Sequence, residues 1–386
     1  MASAARAAAG LTLLGLSFTS AGSARNDGSF VDSNGRAGFI VSDISYVLSK
    51  DSAETGACPV GQTIGVADMF KATPEGHRRE GESDADYTRR VAQGAAALET
   101  ASNGQNECQF PELTTPDPHH YTVTGKDVHV NGGIDLDGQV SRVTGRASPG
   151  TCSHDDFTTF DGRKGVDNQF FRAVGCMPSF QPTGSSVPWA IEMLTGSWGI
   201  LIALAGVDDI HNASEVEMDI NANADPIKLS PNRVPLAYAT YTIHQDPRFH
   251  SHVKGRIVNG VLTTEPFDLA LPKITNNVHF VRTLKHARIE ATLSSDGVLD
   301  GYIAGYTPVA DMYDFQFALR NGTTETGTPS PPRRASIGKS LGFTCRGIFH
   351  ALQQLADGDP DPATGRCTSI STQYHFQAIP AFVVEP

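Results

Sequence analysis

The sequence predicts a mainly β, α+β chain: an antiparallel β-sandwich or jelly-roll-like body carrying a few helices. Three observations point there. Gly and Pro (38 and 23 of 386 residues) make up about 16% of the chain against a usual ~12%, which favours turns and short strands over long helices. From about residue 120, short β-branched and aromatic runs recur between Gly, Pro and Asx. Two Asx-Gly pairs, Asn259-Gly260 and Asp296-Gly297, sit between such runs, where a two-residue hairpin turn needs a positive φ.

Taken in chain order, residues 1–24 read as a signal peptide. Arg6 precedes a short apolar stretch (Leu11, Leu13, Leu14, Leu16, Phe18), and small residues at Ala21 to Ala24 give a cleavage site after Ala24. Residues 25–118 form an N-terminal mixed helical and loop region. Its better helix starts at Ser83, with Asp86 as capping partner and Tyr87, Val91, Ala95 and Leu98 on one narrow face. Residues 119–386 form the β-rich main domain. Trp198 to Val207 is nearly all apolar and predicts a central strand buried on both faces. Arg256–Val258 with Val261–Thr263, and Ile289–Leu293 with Val298–Tyr306, predict hairpins around the two Asx-Gly pairs. Other strands are expected at Tyr238–His244, Val278–Leu284 and Tyr374–Val384. A helix is expected near 341–356, with Leu341, Cys345, Ile348, Leu352 and Leu355 on its buried side, stopped by Asp357-Gly358.

A formal net charge of −12 argues against a nucleic-acid partner. No run approaches the roughly twenty apolar residues of a membrane helix, so no integral membrane segment is expected. Six cysteines follow the signal: Cys58, Cys108, Cys152, Cys176, Cys345 and Cys367. An even count in an exported chain, with no C-x-x-C spacing, suggests disulfides. Pairing of sequence neighbours (58 with 108, 152 with 176, 345 with 367) is expected because it closes three local loops.

Chemistry concentrates in acidic blocks. From His154 to Gln169 the chain offers Asp155, Asp156, Asp161 and Asp167 together with the Asn168 carbonyl, and Gly162 and Gly165 let the backbone turn. A hard cation such as Ca2+ takes six to eight oxygens, and its charge would offset the repulsion among these carboxylates. The competing reading is a surface turn in which Asp167 caps a short helix and Arg163 and Lys164 neutralise two acids. A second block, Asp208 and Asp209, stands at the end of the apolar strand and could join the first; Glu215, Glu217 and Asp219 beyond it fit a solvated strand face. A third, Asp357-x-Asp359-x-Asp361, begins like a calcium loop but is interrupted by Pro360 and Pro362 and fits a rigid turn better. His250 and His252 share a strand face near His244, and His119-His120 lie in a Pro-rich loop, yet no third ligand completes a transition-metal set. Neither G-x-S-x-G nor H-E-x-x-H nor a phosphate-binding glycine motif occurs.

The combination of Asp161-Gly-Arg-Lys-Gly-Val-Asp-Asn-Gln169, Gly206-Val-Asp-Asp209, the Gly255-Arg-Ile-Val-Asn-Gly-Val261 hairpin and Leu355-Ala-Asp-Gly-Asp-Pro-Asp361 resembles a family of exported Gram-negative bacterial proteins. That family carries D-G-x-x-G-x-D-N-Q and G-V-D-D blocks in this order. The resemblance covers roughly residues 150 to 385. It implies no activity, but it implies that the two acidic blocks belong to one architecture. The expected product is a periplasmic or secreted, disulfide-stabilised binding or structural module of the cell envelope. It would face an envelope or extracellular component and carry a structural calcium ion. The alternative is a secreted hydrolase of glycosidase or esterase type using acids near Asp167 and Asp208.

Overall fold

The computed structural model describes residues 30–47, 66–114, 129–141, 152, 154–174, 193–194, 198–275, 278–330 and 344–386. The expected signal segment, Cys58, Cys176 and His119-His120 lie outside the described residues.

The mainly β, α+β body is present. In chain order come β1 (Ala37–Tyr46), α1 (Val66–Ala72), α2 (Asp84–Leu98), β2 (Phe157–Thr158), β3 (Lys164–Val166), α3 (Gln169–Val174), β4 (Ile200–Ala205), β5 (Asn212–Ala222) and β6 (Ala239–Thr242). They are followed by β7 (His250–Val258), β8 (Val261–Thr264), β9 (Phe267–Thr275), β10 (Val278–Leu293), β11 (Leu299–Pro308), α4 (Val309–Gln316), β12 (Thr323–Thr324), α5 (Cys345–Leu355), β13 (Gly358–Pro360) and β14 (Cys367–Val384).

Eight strands pair edge to edge, all antiparallel, in the order β1-β4-β5-β7-β8-β10-β11-β14, and β14 returns to pair with β1. The circuit is therefore a closed barrel. Phe39 shows the closure at one residue: it opposes Ile202 of β4 on one side and Pro380 of β14 on the other. Closure removes the free sheet edges that would otherwise offer unpaired N–H and C=O groups. The long strands extend beyond the ring. β9 pairs with the first half of β10, and β6 runs parallel to the end of β14, so the sheet as a whole is mixed.

Local expectations explain most of the ring. β4 lies between β1 and β5, and four of its six residues are fully or nearly fully buried, as its apolar run implied. Asn259 (φ 52°) and Gly260 (φ 78°) both adopt positive φ and join β7 to β8 in the expected tight hairpin. The Asp296-Gly297 turn differs: only Gly297 has positive φ (85°). Gly297 N–H donates to the Ser294 carbonyl and Ser294 N–H to the Val298 carbonyl, so the loop is one residue longer than a two-residue turn and Ser294 closes it. In α2, Ser83 caps the helix by accepting from Asp86 N–H at 3.2 Å, and only Val91 and Ala95 are buried, the narrow face the spacing implied. α5 begins at Cys345, where Thr344 accepts from Gly347 N–H at 3.0 Å; residues 341–343 lie outside the described set.

The disulfide pairing expected from sequence proximity is overturned. Cys108 bonds to Cys345 (Cα–Cα 5.0 Å) and Cys152 to Cys367 (Cα–Cα 5.4 Å). Loop-closure entropy grows only logarithmically with separation, so proximity in the chain is a weak guide once the barrel has brought distant segments together. The bonds tie the expected N-terminal region to α5 and the acidic loop to β14. β1, drawn from that same N-terminal region, forms a barrel wall, so the sheet runs across the expected boundary at residue 118.

Candidate functional site

Alternation builds the site. Ile134 and Leu136 are buried against Ala304 and Tyr306 of β11, and the residues between and after them, Asp135 and Asp137, are turned toward the loop carrying Asp167. One oxygen from each of Asp135, Asp137 and Asp167 lies within 4.8 Å of the others. Main-chain N–H groups fix each carboxylate: Gly138 donates to Asp135 Oδ1 at 2.6 Å, Gln139 to Asp137 Oδ1 at 2.7 Å, and Leu136 to Asp167 Oδ2 at 2.7 Å. Gly165, at φ 88°, crosses so close that a Cβ would stand 2.9 Å from Asp135 Oδ2 and 2.7 Å from the Gln139 carbonyl oxygen. Glycine is required there both by conformation and by space.

The D-G-x-x-G-x-D-N-Q block is a positioning device around this group. Asn168 donates to the Val47 carbonyl at the end of β1 (3.0 Å) and accepts from Phe171 N–H (3.3 Å), capping α3. Gln169 donates to the Asp155 carbonyl (3.0 Å), and its N–H reaches Ser371 Oγ on β14 (2.8 Å). Gln373, also on β14 and buried, holds Ile134 at both its N–H and its carbonyl, and holds the Asp167 carbonyl at 2.7 Å.

Charge is crowded here. Burial, reinforced by Asp357, Asp137 and Asp156 and opposed by the Leu136 N–H, pushes Asp167 up to about 8. Burial pushes Asp357 up to about 7 against hydrogen bonds from Ser371. Asp156 rises to about 6, again mainly by burial, although Ser141 N–H donates to it. Asp135 is raised by burial as well, and burial, helped by Asp167, Asp357, Asp137 and Asp135, holds the Tyr306 phenol well above its usual value. Of the three converging carboxylates Asp167 is buried, Asp135 half-buried and Asp137 exposed; acids that repel one another at such a partly shielded place, with oxygen donors only, suit a hard cation of the calcium type.

Of the residues singled out in the sequence, Asp156, Asp167 and Asn168 belong to this place. Asp155 contributes its main-chain carbonyl, which also accepts from Arg172 at 3.2 Å. Asp161 stands on the β2–β3 turn, bonded to Thr159 and 3.3 Å from Arg163. Asp208 and Asp209 do not join it. They follow β4 where Val207 N–H meets the Gly35 carbonyl, at the start of β1, whereas Asn168 anchors the site at the end of β1. A ten-residue strand separates the two by about 33 Å. A hydrolase pair built from Asp167 and Asp208 is therefore ruled out by distance. Glu215, Glu217 and Asp219 are exposed on β5. His252 pairs with Asp219 at 2.7 Å and His250 with the His244 carbonyl at 2.5 Å, so the imidazoles do not converge on one point. Glu107 lies beside Cys108 and Cys345, but those sulfurs are bonded to each other.

Sequence reasoning missed Asp135 and Asp137, and it placed Asp357 in a mere turn. Asp135-Leu-Asp137-Gly138 was the available signal, since D-x-D-G is half of a calcium loop. Asp361 does form the turn, accepting from Ala363 and Thr364 N–H at 2.8 Å. Comparison of the chain with protein-family models, curated proteins and solved structures finds no match in any of the three.

Proposed function

We propose that the chain is an exported binding or structural module of the cell envelope, in which a calcium ion held by Asp135, Asp137 and Asp167 clamps residues 131–141 and 154–169 to the barrel. The observation that carries this reading is the convergence of three carboxylate oxygens within 4.8 Å at a place where burial has already raised the neighbouring acids. An ion would complete a cross-link that Gln373 and the Cys152–Cys367 bond begin from β14.

The two disulfides support an oxidising compartment. No described helix is long and apolar enough to cross a membrane. The outward faces of β5 and β7 carry Glu215, Glu217, Asp219, His252 and Lys254, all exposed, whereas a lipid-facing barrel wall would present an apolar band there.

The test is thermal unfolding of EDTA-treated protein before and after calcium is added. Binding confined to the native state stabilises by RT ln(1 + [L]/Kd), about 2.7 kcal/mol at a hundredfold excess over Kd. The melting temperature should rise with calcium and fall back with EDTA; an unchanged curve would leave the acidic group as a proton-holding turn.

A further inference from the structure

Beyond the ion, we propose that the cleft between the barrel wall and the β2–β3 hairpin is a binding site for a small oxyanion ligand, one carrying carboxylate or phosphate groups. The cleft has a volume of about 980 Å3 and is lined by Arg163, Lys164, Arg256 and Arg288 among others. The size suits a drug-sized or disaccharide-sized molecule.

Its charges are not balanced from within. Arg163 is committed, to Glu290 at 2.5 Å and to Asp161 at 3.3 Å. Among the described residues, Lys164, Arg256 and Arg288 have no carboxylate within ion-pair distance. Arg288 lies on β10, and its Nε is shut off from water without any hydrogen-bond acceptor. A guanidinium N–H left in that state is costly, and a planar oxyanion offers the paired acceptors that a guanidinium fork fits. Of the acids lining the cleft, Glu290 is taken by Arg163, and Asp135, bonded to the Gly138 N–H, lies in the field of Arg288, which leaves Glu265 against the two cations Lys164 and Arg256. In a chain of net charge −12 this local excess of cations is a recognition feature. Hydroxyls of Ser214 and Thr263 add neutral donors along the wall.

The experiment is calorimetric titration of the full chain in low salt with inorganic phosphate, citrate and digalacturonate, repeated with EDTA present. At least one probe should bind, more weakly as salt rises, and the probe preferred identifies the phosphate or carboxylate source. Arg288→Gln and Arg256→Gln should each weaken binding about tenfold or more, while Arg233→Gln, in an exposed loop elsewhere, should not. Lys164→Gln, at an exposed position, supplies the test if Arg288→Gln fails to fold. Binding that survives EDTA would show that the cleft works without the ion. Absence of binding by all three probes, or equal binding by wild type and the Arg256 and Lys164 variants, would overturn the proposal.

Discussion

The side-chain amide of Gln373 donates to the main-chain oxygen of Asp167 at 2.7 Å, so a carboxyl that burial pushes up to about 8 is held by a strand of the barrel wall. The same amide grips Ile134, accepting from its N–H at 3.0 Å and donating to its carbonyl at 2.8 Å. A single side chain thus positions both arms of the acidic group.

Gln373→Ala should destabilise the fold by about 2–4 kcal/mol, since buried main-chain groups of Ile134 and Asp167 lose their partner. Urea denaturation measures this. A change below about 0.5 kcal/mol, the range of ordinary surface substitutions, would show that Ile134 and Asp167 are held mainly by other contacts.

The pH dependence follows from the raised carboxyls. An unfolded aspartate releases its proton near pH ~4, but the folded protein keeps protons on Asp156, Asp357 and Asp167 up to about 6, 7 and 8. Between these limits the native state binds more protons than the unfolded chain, so ion-free stability falls as pH rises from about 4 to about 8. Calcium should displace the protons and flatten the decline. Denaturation between these pH values, with EDTA and with calcium, checks both slopes; ion-free stability that rises with pH would contradict the assignment.

The Cys108–Cys345 bond spans 237 residues. Replacing both cysteines by serine should cost about 5 kcal/mol on the loop-entropy model, read from denaturant midpoints under non-reducing conditions. Beside it Arg346 Nε meets Glu107 at 2.5 Å, Glu107 being fully buried. Arg346→Ala removes the guanidinium that pairs with this buried carboxylate and should cost about 3–5 kcal/mol, whereas Arg89→Ala, whose partner Asp86 is exposed, should change stability little.

The local features of the fold could be read in the sequence because short-range chemistry determines them. Ser83 caps α2 through Asp86 three residues on, Asn259-Gly260 adopts the positive φ of its turn, and the Trp198–Val207 run lies between two strands. Closure of the barrel was not readable, since it depends on Phe39 meeting Pro380 at a separation no local pattern encodes. The disulfides failed for the same reason. The candidate site was half readable: the Asp161–Gln169 block was found, but Asp135 and Asp137 become neighbours of Asp167 only because Ile134 and Leu136 are buried on β11.

Calorimetric titration of calcium into EDTA-stripped protein tests the central claim most directly. One equivalent should bind wild type, with proton release near neutral pH, and Asp137→Asn should abolish or strongly weaken that binding while leaving the fold intact. No heat and no shift in melting temperature for the wild type would contradict the account.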